Sequence, residues 1–342
     1  MPKLNIDDIA RLAYVSRSVV SRVLNNRPNV SNEARERVLA VIKEHNYRPS
    51  AVARSLATDR TYEISILAPR KKDEVFANAF WSLIFLGISE ECIRRGYFVS
   101  LSVISDEMET HLNDRIVHGH NFDGYILISK KVAGEVAPIL RQRNMPTVLI
   151  GHHPDYPDLD SVEGDNFAGA YRATEYLIGL GHRRIAAIRG PLDAQESTDR
   201  LAGYKQALHD AGLPLDEALI AEGDYSQRSG CEQTPRLLGL STPPTAIFCV
   251  NDAMAAGVLL AVHRAGLSVP GDISVIGFDD LPNSQYTIPP LTTVHQPIYE
   301  IGQRAADAVI DQIEGHRKKT DHVKLGVELV PRESCGPPKR LD

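Results

Sequence analysis

The chain has 342 residues, of which 24% are charged and 43% hydrophobic, and its formal net charge is -6. That is the composition of a soluble globular protein with room for two or three domains. No stretch approaches the ~18 consecutive apolar residues of a membrane span, and the opening MPKLNIDDIARLA meets acids too early for a secretory signal. A cytoplasmic chain with no membrane partner is expected. Its four scattered cysteines (Cys92, Cys231, Cys249, Cys335) show no ligand spacing, so they read as reduced packing residues, with no metal and no cofactor implied.

The charge is unevenly placed. Residues 1–60 hold 11 Lys and Arg against 6 Asp and Glu, whereas the remainder holds 27 against 38. A basic head on an acidic body fits a nucleic-acid-binding module joined to a part with another task. A solvated basic surface is the competing reading.

Asn5 can cap a first helix, with Asp7 and Asp8 in the turn where the helix dipole favours anions. Ile6, Ile9, Ala10 and Ala13 then share one face. The chain turns at Tyr14-Val15, and Ser16 can cap a second helix. At about 100° per residue, Arg17, Ser18, Ser21, Arg22 and Asn25 fall within about 140° of arc. Val19, Val20, Val23 and Leu24 occupy the opposite side. One face can pack and the other can hydrogen-bond, which is helix-turn-helix patterning with the second helix fitted to the major groove of DNA. A third helix is expected from Asn32 to His45, capped by Ser31 or Asn32. Its apolar side would be Ala34, Val38, Ile42, Leu39 and Val41. After Pro49 comes a segment of about two turns, too short to be helical in water without support, so it can fold on binding.

From Tyr62 the pattern alternates. Strands are expected at 64–68, 97–104, 125–129, 147–150, 184–188, 245–250 and 273–277, with strand-like runs at 161–163 and 219–222. Helices are expected at 81–95, 169–180, 202–211 and 253–265. This is α/β patterning with largely parallel sheets. Polar residues follow the strands, where open α/β sheets bind ligands: Asp165-Asn166, Asn251-Asp252, Asp279-Asp280 and Tyr225, with Arg200 just ahead of a helix carrying Gly203-Tyr204. Each has a bland alternative as a helix cap or surface ion pair. Together they suit a polyhydroxylated ligand. The chain has no GxGxxG after the first strand, no GxxxxGKS and no GxSxG, so no enzyme constellation emerges. His111, His118, His120, His152 and His153 read as solvated, and His182 as part of a helix-to-strand turn. Leucine heptads are missing from the Pro-rich end, so no coiled-coil tetramer is expected.

The motifs VSRVLN, NYRPSAVARSL, LGHRRIA, RLAGY, NDAMAAG and VPGDISVIGFDD occur together and in order. In these the chain resembles the lactose-repressor (LacI/GalR) family over nearly its whole length. The resemblance implies an all-α helix-turn-helix headpiece (1–47), a hinge helix and linker (48–60), and an α/β periplasmic-binding-protein-like core of two subdomains with parallel sheets (61–335), followed by a tail (336–342). It implies a homodimeric transcriptional regulator, with operator double-stranded DNA and a small effector, most simply a sugar, as partners. Arg17, Ser18 and Arg22 would read bases, supported by Ser21, Asn25 and Ser31. Leu56 would wedge into the minor groove, with Ala53 close to the bases. The effector would meet Arg200, Asn251, Asp279, Tyr225 as aromatic platform, and Gln296, with Asp165, Ser129 and Phe80 as further candidates and Trp81 beside them.

The chain also departs from the family pattern. Val19 stands where Thr usually helps hold phosphate, the hinge opens Pro49-Ser50 in place of Pro-Asn, and the first strand–helix loop carries Arg70-Lys71-Lys72-Asp73-Glu74. A purine-binding branch carries an Arg where this chain has Ala194, which favours a sugar. A phosphocarrier protein as corepressor, and a cytosolic solute-binding protein, are the alternative readings.

Overall fold

The computed structural model describes residues 4–24, 28–47, 60–69, 79–104, 121–316 and 320–339. Two units divide between Tyr62 and Glu63. No described helix is long and apolar enough to cross a membrane.

The first unit contains α1 (Ile6–Leu12), α2 (Arg17–Leu24) and α3 (Asn32–Glu44). Asn5 Oδ1 accepts from the Asp7 and Asp8 amides, and Asp8 accepts from the Asn5 amide, a reciprocal cap that starts α1. Ser31, not Asn32, caps α3. Ile9, Ala10, Ala13, Val20, Val23 and Val38 are buried together, with Val41 and Ile42 against them. Leu39 was expected in this core but is half exposed, because it sits one residue, about 100°, off the Val38–Ile42 stripe.

The second unit is two doubly wound lobes. The first has a six-stranded sheet, in order β11-β5-β4-β3-β1-β2, and every pairing is parallel. Its strands are β1 (Glu63–Pro69), β2 (Phe98–Ile104), β3 (Gly124–Ile128), β4 (Thr147–Ile150), β5 (Asp160–Gly164) and β11 (His322–Leu325). Helices α4 (Ala79–Arg94), α5 (Lys130–Gln142) and α10 (Ile298–Glu314) cover it. α4 and α10 pack closely: a Cβ on Gly87 would lie 2.1 Å from the Tyr299 carbonyl oxygen. Fully buried strands such as β3 and β4 read as continuous apolar runs because both sheet faces are covered.

The second lobe has the parallel order β7-β6-β8-β9, from β6 (Ile185–Arg189), β7 (Ile220–Glu222), β8 (Ala246–Cys249) and β9 (Ser274–Ile276). It carries α6 (Asn166–Gly179), α7 (Gln195–Asp210), α8 (Gln227–Leu238) and α9 (Asp252–Arg264). An antiparallel pair, β10 (Thr293–His295) with β12 (Glu328–Val330), completes the fold. The chain passes between lobes after β5, after β10 and after β11. These crossings lie side by side: the Asp165 amide donates to the Leu325 carbonyl at 2.9 Å, and a Cβ on Gly164 would lie 2.9 Å from Gln296 Oε1.

Every strand and helix expected within the described residues is present, with ends shifted by a few residues, and the expected hinge helix lies outside them. One shift is large: α7 begins at Gln195, so Arg200 lies inside the helix and not ahead of it. Helices α5, α8 and α10 fall on segments to which sequence patterning assigned no element. α5 and α8 each contain an internal proline, Pro138 and Pro235, which breaks the expected signature. α10 has none; its buried Ile298, Ile301, Ala305 and Val309 follow helical spacing. Gly336, assigned to the tail, is bonded to the core: its carbonyl accepts from His182 Nε2 at 2.9 Å and its amide donates to Ser274 Oγ at 3.1 Å. That carbonyl fixes the proton on Nε2 of His182, which is buried in its helix-to-strand turn with Nδ1 2.9 Å from Thr245 Oγ1. The cysteines are free, and burial pushes the Cys92 and Cys335 thiols up to about 12, as packing residues require.

Candidate functional site

In the first unit, burial of Val20 and Val23 turns the other side of α2 to solvent. Arg17, Ser18 and Arg22 are exposed and Ser21 is half-buried. Ser16 Oγ lies 2.8 Å from Ser18 Oγ and accepts from the Val19 amide, so the turn orients the head of α2. Arg17 sits 3.9 Å from Asp7, a loose exposed pair worth little. Arg22 makes no hydrogen bond or ion pair with a described residue. The face therefore offers the Arg22 guanidinium, with Arg17 and the Ser18 and Ser21 hydroxyls beside it, the chemistry that reads guanine edges and phosphates. Ser31 is exposed at the start of α3, its hydroxyl engaged as the cap. Asn25, Ala53, Leu56, Pro49 and Ser50 lie outside the described residues, as do His111, His118, His120 and the 70–74 segment.

In the second unit, a cavity of about 190 Å³ opens between the lobes. Much of its wall lies at or just beyond the carboxyl ends of parallel strands of both sheets. The first lobe contributes Phe80, Trp81 and Ile84 from α4, Ile128 at the end of β3 with Ser129 and Lys131 after it, Ile150 at the end of β4 and Glu163 on β5, with Ile301 from α10. The second contributes Asn166, Asp193, Ala194, Glu196, Arg200, Tyr225, Asn251 and Asp279, and Gln296 enters from a crossing.

Arg200 organises the polar end. Its Nε donates to Asn166 Oδ1 at 2.8 Å, and Nη1 donates to the Val250 carbonyl and to Asp279 Oδ1, the latter at 3.2 Å. The guanidinium carbon lies 3.7 Å from the centre of the Phe278 ring, a cation–π contact. Gln296 Nε2 donates to the same Asp279 oxygen at 2.7 Å. This leaves Arg200 Nη2 and Asp279 Oδ2, a donor beside an acceptor, without protein partners among the described residues. Burial pushes the Asp279 carboxyl up, and Arg200 opposes the shift. Asp252 beneath it is pushed up by burial and by Asp279. It is spent on structure, accepting from the Leu281 amide, Ser284 and Thr293.

Asn251 caps α9, its Oδ1 accepting from the Met254 amide at 2.9 Å, and its Nδ2 donates to the Tyr225 carbonyl. Tyr225 donates its hydroxyl to Glu196 at 3.1 Å, and burial holds the phenol far above its ordinary value. Gly190 makes room for the ring: a Cβ there would lie 2.5 Å from it. Ser129, Tyr225 and Asp279 all have positive φ, 92°, 71° and 115°. Such backbones cost about 1–3 kcal/mol each in residues other than glycine and cluster at binding sites.

Of the eight residues expected at the ligand, seven line the cavity. Asp165 does not; its carboxylate caps α6 through the Ala168 amide. Ser129 does both, lining the cavity and capping α5. Sequence reading missed Lys131, Glu163, Asp193 and Glu196, which carry no motif of their own. His152 is not simply solvated: its Nδ1 lies 3.0 Å from Glu163 and 3.7 Å from Asp199. His153 is buried against Tyr156.

A model of the bacterial regulatory proteins of the lacI family matches residues 5–50, and one of a periplasmic-binding-protein-like domain matches 174–335. The ribose operon repressor of Escherichia coli (strain K12) is 37% identical over 330 residues, covering 96% of this chain and 98% of that protein. The chain belongs to the LacI family. Another LacI-family relative, the transcriptional repressor PurR of Vibrio atlanticus, is 34% identical over 330 residues, 95% of this chain and 96% of its own. Among solved LacI-family structures, the Lac repressor dimer bound to operator and the anti-inducer ONPF superposes with a TM-score of 0.84 at 29% identity, covering 97% of this chain and 99% of that one. The CelR–cellobiose complex gives 0.77 at 32% identity, with the same coverage. Within this LacI-family chain, the helix-turn-helix model falls on α1–α3, and the binding-protein model begins inside α6 and runs through the rest of the second lobe and through α10 and β11 of the first.

Proposed function

We propose that this LacI-family repressor binds operator DNA as a homodimer through the outer face of α2, and that a sugar in the interlobe cavity sets its operator affinity. The carrying observation is the uncommitted donor–acceptor pair, Arg200 Nη2 beside Asp279 Oδ2, on one wall of the interlobe cavity. Neighbouring hydroxyls of a sugar can accept from the first and donate to the second. Trp81, Phe80 and four isoleucines from the first lobe offer apolar surface for the C–H face. Four carboxylates line the cavity against one lysine and one arginine, which disfavours an anionic ligand.

The names of two relatives support a sugar, ribose in one and cellobiose in another. PurR keeps the purine class in the test. Here Ala194 presents only a methyl group to the cavity, at the position where the purine branch carries arginine. No catalysis is proposed: Arg200 is engaged with Asp279 and Tyr225 with Glu196, an arrangement that suits binding. A DNA target places the chain in the cytoplasm.

A sugar that bridges both walls favours one arrangement of the lobes, and the coupling to operator is reciprocal. Operator affinity of the full chain is measured by fluorescence anisotropy with pentoses, hexoses, cellobiose, purine bases and no addition. One sugar is expected to change operator affinity about 5- to 150-fold, and Arg200→Ala to abolish the change while operator binding persists. A response to purines alone, or the same sugar response in Arg200→Ala, overturns the reading.

A further inference from the structure

Outside the polar end of the cavity, three metal-ligating side chains converge from both lobes. His152 follows β4 and Glu163 lies on β5, in the first lobe; Asp199 lies on α7, in the second. His152 Nδ1 is 3.0 Å from Glu163 Oε2 and 3.7 Å from Asp199 Oδ2, and the three ligand atoms all fall within 4.8 Å of one another. Ligands held about 2.0–2.2 Å from one tetrahedral ion sit roughly 3.3–3.6 Å apart, so a small contraction would seat the ion.

We propose that His152, Glu163 and Asp199 bind a divalent transition metal of the zinc class, and that the ion staples the two lobes at the rim of the cavity. The neighbouring groups leave one oxygen of each carboxylate for the ion. Asp199 turns Oδ2 to the histidine while Oδ1 accepts from Gln195 Nε2 at 2.9 Å. Glu163 turns Oε2 inward while Oε1 faces Lys324 Nζ at 3.7 Å. Gln195 in turn accepts from Lys130 Nζ at 3.1 Å, a second link between lobes. Outer contacts of this kind orient metal-binding carboxylates.

The donor set selects the ion. An imidazole with two carboxylates and no thiolate suits zinc, cobalt or nickel, where calcium and magnesium prefer oxygen alone. Three protein ligands leave a fourth position, and Glu163 already lines the cavity. The other comparable cluster, Asp311, Glu314 and His316, does not qualify: Arg95 donates to both carboxylates, at 3.0 and 2.7 Å, and occupies the space with its own charge.

This site stands whatever ligand the cavity holds. The purified full chain is titrated with Co²⁺ alone and followed by its visible d–d absorption, with Zn²⁺ as competitor. One equivalent is expected to bind with the intense spectrum of a four-coordinate nitrogen and oxygen site. His152→Gln and Asp199→Asn should each weaken binding more than about 100-fold, and Gln195→Leu about 10-fold, the range for outer-contact changes. Operator binding by each variant establishes that it is folded. The proposal is overturned by a folded wild-type chain that gives no such spectrum, by a sulfur charge-transfer band placing the metal on cysteine, or by unchanged binding in both ligand variants.

Discussion

The two walls of the cavity are built from the same topology and do different work. Both lobes have parallel sheets with loops at the carboxyl ends of the strands. The second lobe fills those loops with hydrogen-bonding groups already tied to one another: Arg200, Asp279, Asn166, Asn251, Tyr225 and Glu196. The first lobe presents Phe80, Trp81, Ile84, Ile128 and Ile150. A bonded polar network is rigid and directional, and its members depend on one another. An apolar wall is tolerant and acts by area. On the proposed reading, the second lobe orients the ligand and the first supplies contact area.

The largest test of this division is Arg200→Ala. It leaves Asp279 buried without its cation and Asn166 without its donor, so unfolding in urea should show a loss of about 3–5 kcal/mol. A loss below 1 kcal/mol would mean that the polar wall is not the coupled unit described. Trp81→Ala should behave oppositely. Trp81 is only half-buried, so stability should hardly move, while calorimetry should show sugar affinity falling by about 2 kcal/mol. Equal affinity would remove the apolar wall from the site.

The smallest effect concerns the base of the second lobe. Burial lowers the affinity of His182 for a proton. The folded state thus binds that proton less well than the unfolded chain. The resulting stability is fully present above about pH 6.5, the unfolded value, and is lost as pH falls through the folded value. Between pH 7.5 and 5.5 the melting temperature of the wild type should therefore fall more than that of His182→Gln. Parallel curves would show that His182 does not tie residues 336–339 to the lobe.

Much of this was legible in the residues. The cap at Asn5, the polar face of α2, the apolar runs of β3, β4 and β8 and the helix α9 after β8 follow from local chemistry, and the structure places them within a few residues. The polar residues after strands were legible as a set because parallel sheets bind at one end. Asp165 shows the limit: an aspartate after a strand fits a cap and a ligand contact equally, and only its position relative to the cavity separates them. Helix α10 shows an unused signal, since its apolar spacing is regular. Helix α8 had little signal, with Pro235 inside it and few apolar residues.

The sequence by itself determined the two-part division, the polar face of α2, the α/β class of the body and Arg200, Asn251, Tyr225 and Asp279 as candidate ligand contacts, because each depends on charge placement, periodicity or a polar residue near a strand end, whereas Gln296 followed only from the family resemblance. Tertiary structure alone decided that Arg200, Asp279 and Gln296 meet at one carboxylate, that Glu163 and Asp199 face His152 from opposite lobes, and that Gly336 belongs to the core. Those pairings span 11 to 154 residues of chain, and no local periodicity records which distant loops two converging sheets will bring together.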